Sequence, residues 1–507
     1  MIMTQEQLIL KAQEQFEQVK AFLRQACSAG KRIDQVESDL WGQMLQTGRL
    51  LLEGYVAGHH QGDLGPSLEH EGRTLRRLDQ PHVRRYVSVF GQIEISRYVY
   101  GTRETQKHEV IPLDAILGLP ESEFSYLLQD WDQGFCVENS YGESRRTIER
   151  ILRIGQSVLS LEQMNDQMAA AVEGFWATNP APASETEEAI LVLTADGKGV
   201  PMRGEGQPSK SGYGSALRRD ESMRLKKGGK ANRKRQACVG AVYTIAPFVR
   251  RAEDVVNEVL REQRQTQRPQ PQNKKLRAEL TRPIKGQEVN GKDRIFCWFA
   301  EQIRSRNRNN RKPIVTVCDG DRALWEKVKG LSKTLGVLIV CILDLYHVLE
   351  RLWSAAYCFY PEGSDQAQRF VAERLRRLLE GEVGYVIGGL KQMATKHKLS
   401  RSKQDQLSKV IVYLENNRSY MRYDLYLSHG YPIGSGVVEG ACRHVVKDRM
   451  EGTGMRWCIP GAQAMLNLRA VYLNGDWDAF QCYRMNTTTR KLYPCRQSIR
   501  RLYRKTG

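Results

Sequence analysis

Three carboxylates stand where apolar segments break off. Asp196 ends the run "LVLTAD", Asp319 ends "PIVTVCD", and a glycine follows each. Glu439 lies early in a helical pattern opened by "PIGSGVVEGACRHVVKDRM". In an open α/β sheet, ligands collect at the carboxyl ends of strands. If strands 190–196 and 313–318 pair, the two aspartates emerge side by side. Carboxylates about 4 Å apart repel by roughly 4 kcal/mol at an effective dielectric of about 20. A divalent cation removes that conflict, and all-oxygen ligands suit Mg²⁺, with Mn²⁺ as a substitute. Such ions activate a water or hydroxyl and stabilise the leaving oxygen of a phosphodiester. Asp-Gly is also ordinary turn chemistry, so each aspartate taken singly reads more readily as a turn residue. Two such ends and a carboxylate helix in one domain carry the metal reading. Asp321 competes with Asp319, but its position fits an N-terminal cap on the next helix.

Further polar residues surround this set. In "LDLYHVLERLW", Asp344 and His347 sit one helical turn apart and off the apolar stripe of Leu345, Val348, Leu349 and Leu352. An acid–imidazole pair of this kind orients a ligand, touches DNA or stabilises a helix start. Arg443 and Lys447 follow Glu439 at i+4 and i+8 and share its face, next to a mostly apolar face of Val438, Cys442, Val445 and Arg449. Gly434, Ser435 and Gly436 would let that helix start approach a phosphate. Lys198 stands beside Asp196, and residues 203–235 carry eleven Lys and Arg against three acids. This run contains Lys226, Lys227, Arg233, Lys234 and Arg235. It is tethered between two strands of the carboxylate domain, so it reads as a grip on a nucleic-acid backbone, without base specificity and weakened by salt.

The elements that must position these residues follow from periodicity. Residues 5–57 show helical spacing, with Leu40, Leu45, Leu50, Leu51 and Tyr55 among the apolar positions. Residues 84–101 alternate with period two about Gly91-Gln92 and predict a hairpin. "YGESRRTIERILRIGQSVLSLEQMN" predicts helix, turn and helix, with Ser157 capping the second, as in a helix-turn-helix DNA reader or a plain helical hairpin. "TNPAPASETEE" (178–188) is a linker. Beyond it the spacing predicts strands at 190–196, 237–246, 274–280, 313–318 and 337–343, helices at 293–305 and 321–334, a wholly helical stretch from 344 to about 428, and a last helical block at 436–473. Three successive strands and then alternating helix and strand make a mixed α/β sheet with a helical insertion.

The 507 residues carry a net charge of +19, which favours a polyanionic partner. Eleven cysteines form no CxxC pair and no zinc-finger spacing. Unpaired cysteines in apolar strands fit a reducing cytoplasm. The N-terminus lacks the apolar run of a signal peptide, and "VLIVCIL" (337–343) is too short to span a bilayer. The expectation is a soluble, cytoplasmic protein.

At these residues the chain resembles the ISKra-type insertion-sequence transposases. The resemblance rests on "LTADGKGVPM", "KKGGKANRKRQACVGAVYTI", "VCDGDRALW", "ILDLYHVLERLW" and the long "YLENNRSYMRYDLYLSHGYPIGSGVVEGACRHVVKDRMEGTGMRW". "PLDAILGLPE" and "SYLLQDWDQGFCVENSYGES" extend it into the N-terminal half. The resemblance implies a DDE transposase with a ribonuclease-H-like α/β core. Asp196, Asp319 and Glu439 would be its triad, and Asp344–His347 its acid/cysteine-x-x-His motif. Asp321 departs from the small residue expected there. The implied partners are DNA, as terminal inverted repeats and target, and a second or further copy of the chain assembled on it.

The organisation that follows has six parts: an N-terminal helical region with a hairpin (1–120), a helix-turn-helix-like DNA-binding region (121–176), the first part of the core (189–346), a helical insertion (347–430), the Glu-bearing helix and its successors (431–475) and a basic tail (476–507). Two other readings compete: a metal-dependent nuclease or resolvase without strand transfer, and a non-catalytic DNA-binding regulator on the same scaffold. A tyrosine recombinase is disfavoured, because the His82-x-x-Arg85 pair lies against a hairpin and far from any C-terminal nucleophile.

Overall fold

Ile190 to Ala195 are six consecutive buried residues, the pattern of a strand covered on both faces. They form the centre of a five-stranded sheet. The computed structural model describes residues 3–102, 110–203, 234–260, 268–284 and 286–506. The chain divides into two compact units, one of Thr178–Asn474 and one of Met1–Ala177 with Gly475–Gly507.

In the first of these, the sheet strands are β1 (Ile190–Pro201), β2 (Lys234–Ile245), β3 (Gln272–Leu280), β4 (Ile314–Cys318) and β5 (Ile339–Leu343). Their spatial order is β5-β4-β1-β2-β3. β1, β4 and β5 are mutually parallel, whereas β2 runs antiparallel to both β1 and β3. This is a ribonuclease-H-like mixed sheet. Each predicted strand is present. The helices predicted near 293–305 and 321–334 are α1 (Gly291–Arg306) and α2 (Arg322–Leu335). Asp321 caps α2 by accepting the Ala323 N–H at 2.8 Å.

One boundary differs from expectation. β1 does not stop at Asp196 but runs on to Pro201, paired with β2 down to Pro201↔Lys234. Asp196 sits at a strand end only on its other side, where β4 finishes at Cys318. The reason is cross-strand pairing: β2 continues alongside β1 and supplies backbone partners past the acidic residue, so Asp-Gly makes no turn here. A bulge between Val242 and Thr244 then adjusts the β2–β3 register. The outer edge of β3 is covered. Gln463 accepts from Leu280 N–H at 2.8 Å and donates to the Ala278 carbonyl at 2.9 Å, while Asn474 pairs in the same two ways with Leu276. Both lie on or just after the helix Ile459–Leu473, which seals an edge that would otherwise pair with other chains.

The stretch after β5 is helical as predicted: α3 (Leu345–Phe359), α4 (Asp365–Leu379), α5 (Val383–Lys396), α6 (Arg401–Asn416) and a short turn of helix at Tyr423–Ser428. Its apolar stripes, among them Leu352, Val371, Leu375, Leu390, Leu407 and Leu414, join the sheet residues in one continuous core. α7 (Gly436–Ala441) then passes through a π-helical turn, Cys442–Lys447, before the chain reaches the edge-sealing helix.

In the other unit, two long helices, Gln5–Ser28 and Ile33–Ala57, pack together. Leu45 is buried between elements as its spacing predicts, but Leu51 and Tyr55 are more than half exposed. The hairpin pairs His82–Ser88 with Gly91–Arg97; its turn is Val89-Phe90, two residues earlier than the alternation indicates. A three-stranded sheet that periodicity does not predict holds Ser67–His70, Arg73–Arg77 and Tyr100–Gly101. The helix pair Tyr141–Leu152 and Val158–Ala169 is present, and Ser157 caps the second helix through the Ser160 N–H at 2.9 Å. Arg153, in the left-handed region at φ 58°, makes the turn. Residues beyond 475 form two helices in this unit, Trp477–Leu492 and Arg496–Thr506. Among the described residues, no helix is long and apolar enough to cross a membrane.

Candidate metal centre

The site grows from the register of three parallel strands. Val317 pairs with Thr194, so continuing that register by two residues sets Asp319 beside Asp196. Cys318 pairs with Leu343, and the next step sets Asp319 beside Asp344. The ladder is still closed at this point, since the Asp344 N–H donates to the Cys318 carbonyl at 2.9 Å. Asp319 and Asp344 therefore leave two adjacent strand ends in register with Asp196, which lies within β1, and registered neighbours share a face of the sheet.

The helical insertion fixes the row from one side. The Tyr413 hydroxyl donates to the Asp319 carbonyl at 2.8 Å, and the fully buried Tyr423 hydroxyl donates to the Leu343 carbonyl at 2.8 Å. Gly320 turns the chain away at φ +95°; a Cβ there would lie 3.1 Å from Leu343 and 3.2 Å from Asn417. Each tyrosine bond is worth about 1 kcal/mol and restrains the carbonyl that it holds.

The segment before α7 fixes the row from the other side. Leu345 N–H donates to the Ile433 carbonyl at 2.9 Å, and Ser435 N–H to Asp344 Oδ1 at 3.3 Å. The Ser435 hydroxyl reaches Asp344 Oδ2 and stands 3.1 Å from Glu439 Oε1. Trp457 N–H donates to the Pro201 carbonyl at 3.0 Å, so the end of β1 is tied to the chain that follows the Glu-bearing helix.

Among the described residues, Asp344, His347 and Glu439 bring three ligand atoms within 4.8 Å of one another. His347 Nδ1 lies 2.8 Å from Asp344 Oδ2. That bond chiefly raises His347 to about 9. Burial pushes Asp344 up, but the bonds from His347, Ser435 and the Tyr346 N–H outweigh it and hold the carboxyl below its usual value. Glu439 is raised, first by burial and then by the Asp344 charge. Two carboxylates and an imidazole packed this closely, with one acid raised by the other, are a donor set that a divalent cation would relieve. The imidazole widens the choice from Mg²⁺ toward Mn²⁺ and Zn²⁺.

Asp344 is already well occupied. Its Oδ1 accepts from Tyr346 and Ser435 N–H, and its Oδ2 from His347 and the Ser435 hydroxyl. Four bonds fill about four lone-pair positions. Asp344 thus stands as the anchor that orients His347 and Ser435, while Glu439 is exposed and His347 partly so.

Asp196 and Asp319 lie next to this cluster and are not drawn into it. Asp196 Oδ1 accepts from the Gly197 N–H at 2.6 Å, and its Oδ2 receives the Cys442 thiol at 3.4 Å. Burial, and after it the Asp196 charge, pushes the Cys442 thiol up, which keeps it a donor. Asp319 Oδ1 accepts from the Asp321 N–H at 3.0 Å, yet its charge still reaches His347 and contributes to that rise. Asp321 is engaged elsewhere, in its cap and in a 2.5 Å pair with Lys292.

Of the basic residues, Arg443 and Lys447 are exposed, and Val438, Cys442, Val445 and Arg449 are buried, as the face pattern predicts. Arg443 pairs with Asp448 at 3.5 Å, an i, i+5 contact that the π turn brings together. Lys234 pairs with Glu451 at 3.1 Å and Arg235 with Glu288 at 3.2 Å. Lys198 follows Asp196 in the β1 ribbon, paired with Ala237. Lys226, Lys227 and Arg233 lie outside the described residues. The sequence pattern marks Ser435 only as part of a glycine-flanked loop and does not single out Tyr413 or Tyr423; the i, i+4 spacing of Ser435 and Glu439 is the one signal it offers.

The sheet order and the clustered Asp, His and Glu are consistent with metal-dependent, nuclease-like chemistry on a scaffold of the DDE-transposase type. Comparison with protein-family models and with curated proteins finds no match for the chain.

Proposed function

We propose that the chain is a DDE-type DNA transposase of an insertion sequence, similar to the ISKra group, that cuts DNA at the ends of its element and joins the freed ends to a target. The observation that carries this reading is the registered row Asp196–Asp319–Asp344 across three adjacent strands, with Glu439 brought against it by Ser435. The charge of +19 supports a polyanionic substrate.

Asp196, Asp319 and Glu439 would hold Mg²⁺ or Mn²⁺, with His347 as a neighbouring donor. Cations bound there would polarise the scissile phosphate and make the attacking water or 3′-hydroxyl more acidic. The chain supplies the rest. Tyr413 and Tyr423 hold the strand ends that aim the aspartates. Ser435 keeps Glu439 near the row, and Asp344 fixes the orientation of His347. Lys198, Arg443 and Lys447, with the basic residues Lys226, Lys227, Arg233, Lys234 and Arg235, would hold phosphates on either side of the cut. The helix pair at 141–169 is the proposed reader of terminal inverted repeats, and pairing of two ends calls for a dimer or larger assembly on DNA.

Incubation of the protein and Mg²⁺ with labelled DNA from both flanks of its own gene tests this. Nicks at fixed positions, followed by joining of pre-nicked ends to a second duplex, are expected. Nicking without joining in any condition would leave a nuclease or resolvase.

A further inference from the structure

Ser435, Glu439 and Cys442 stand at i, i+4 and i+7, so they share one face of the segment that runs from the start of α7 into its π turn. The two ends of that face hold the two outer acids of the carboxylate row. At the start, the Ser435 hydroxyl reaches Asp344 Oδ2. At the far end, the Cys442 thiol donates to Asp196 Oδ2 at 3.4 Å. Glu439 lies between them, so one helical segment grips Asp344 and Asp196 while it carries the third kind of ligand itself.

Local sequence brings the thiol to the strand. α7 packs on β1 and β2, and the π turn packs on β1. Val438 and Ala441 before Cys442, and Val445 and Val446 after it, are buried. Cys442 is itself 4% exposed, and the acceptor that its S–H finds is the Asp196 carboxylate. The π turn begins at this residue and closes where the Asp448 N–H donates to the Arg443 carbonyl, five residues back. Such a widened turn re-aims the side chains around it and often marks a functional site.

We infer that Cys442 is a positioning residue, whose thiol sets the place of the Asp196 carboxylate relative to Glu439. The inference rests on the metal centre of the proposed function. The other bond to Asp196 comes from the Gly197 N–H at 2.6 Å, a neighbour that moves with the acid. Among the described residues, the thiol makes the hydrogen bond that ties this carboxylate to another element. The two bonds use two of about four lone-pair positions, so Asp196 keeps room for a cation that the four-times-bonded Asp344 lacks. An S–H is a weak donor, so it orients the carboxylate without competing strongly for it.

Infrared spectra of the metal-free full chain test the bond, because a bonded S–H absorbs at lower frequency than a free one. The difference between wild type and Asp196→Ala should show one S–H band moving to higher frequency, and Cys442→Ser should lack that band. Calorimetric titration with Mn²⁺ tests the role. Cys442→Ala and Cys442→Val have no donor, and each should bind Mn²⁺ more weakly by about tenfold to a hundredfold, as when other groups that orient ligands are lost. Cys442→Ser keeps a donor and should bind more tightly than either. An S–H spectrum that Asp196→Ala leaves unchanged overturns the inference, and this comparison needs no variant of Cys442 to fold. Binding by Cys442→Val equal to that of wild type also overturns it, since the sulphur would then only fill space. No DNA enters these measurements. The expected shifts in a wild type that cuts no DNA would keep the inference and remove the cleavage reading, whereas a wild type that takes up no Mn²⁺ would remove both.

Discussion

Asp344 leaves β5 directly beside Asp319 at the end of β4, and the Asp344 N–H still closes the ladder on the Cys318 carbonyl at 2.9 Å. The two acids therefore hold their spacing through backbone bonds, before any ligand arrives. Their environments differ. Asp344 is fully buried and four times bonded, whereas Asp319 keeps a partly exposed carboxyl. This separates an anchoring role from a liganding one.

The liganding role predicts that Asp319→Asn and Glu439→Gln each lower Mg²⁺-dependent cleavage on the order of a thousandfold. End-DNA binding in Ca²⁺ should change little. Asp196→Asn should behave in the same way. Gel-shift and cleavage assays on the same preparations check this, and retained cleavage in all three variants would refute the triad.

Ser435 serves two acids with one hydroxyl, and Glu439 is raised by burial and by the Asp344 charge. Ser435→Ala removes that shared donor. The expected result is weaker cation binding, by about tenfold to a hundredfold, as for other groups that orient ligands. Titrating cleavage with Mn²⁺ reads it: the midpoint should move while the rate at saturation stays close to wild type.

His347 is held near 9 by its bond to Asp344, so at neutral pH a proton occupies the ring that a cation would use. Cation binding through His347 displaces this proton. Apparent affinity should then rise about tenfold per pH unit toward pH 9 and level off above it. His347→Gln should flatten that dependence. Calorimetric Mn²⁺ titrations across the range, with proton release measured in two buffers, give the answer.

Much of this site was legible because strand ends announce themselves. Apolar runs closed by Asp-Gly marked Asp196 and Asp319, and the Leu345, Val348 and Leu352 stripe left Asp344 and His347 off the apolar face, although Asp344 proves fully buried as the cap of that helix. What periodicity could not show was pairing. Nothing in residues 190–201 says that β2 will accompany β1 past Asp196, since that depends on a strand more than thirty residues away. The three-stranded sheet around Tyr100 was hidden for the same reason: its strands are short and charged, and Tyr100–Gly101 contributes only two residues. Tyr413 and Tyr423 sit in helices whose own spacing gives no hint of the carbonyls that they hold.

The basic segment gives a prediction independent of the metal. Neutralising Lys226, Lys227, Arg233, Lys234 and Arg235 together should reduce the slope of log affinity against log salt by up to about 4.5, near 0.9 for each phosphate that these side chains neutralise. Fluorescence anisotropy on non-specific duplex at several salt concentrations measures it. An unchanged slope would mean that the five residues do not touch the DNA backbone.

A last prediction concerns the N-terminal helices. Asp132 is fully buried, and burial raises its carboxyl to about 7, against which the Gln156 amide at 3.0 Å pulls only weakly. Its Oδ1 has no donor among the described residues. The folded chain keeps a proton here that the unfolded chain releases near 4. Between pH 4 and about 7 the folded state binds more protons, so its stability falls as pH rises, by at most roughly 4 kcal/mol, and is level above. Asp132→Asn keeps an oxygen for Gln156 and carries no charge to bury. It should match wild type near pH 4 and melt at a higher temperature at pH 8. Melting curves of both proteins across this range decide it: a constant difference would show that Asp132 is ionised in the folded chain throughout.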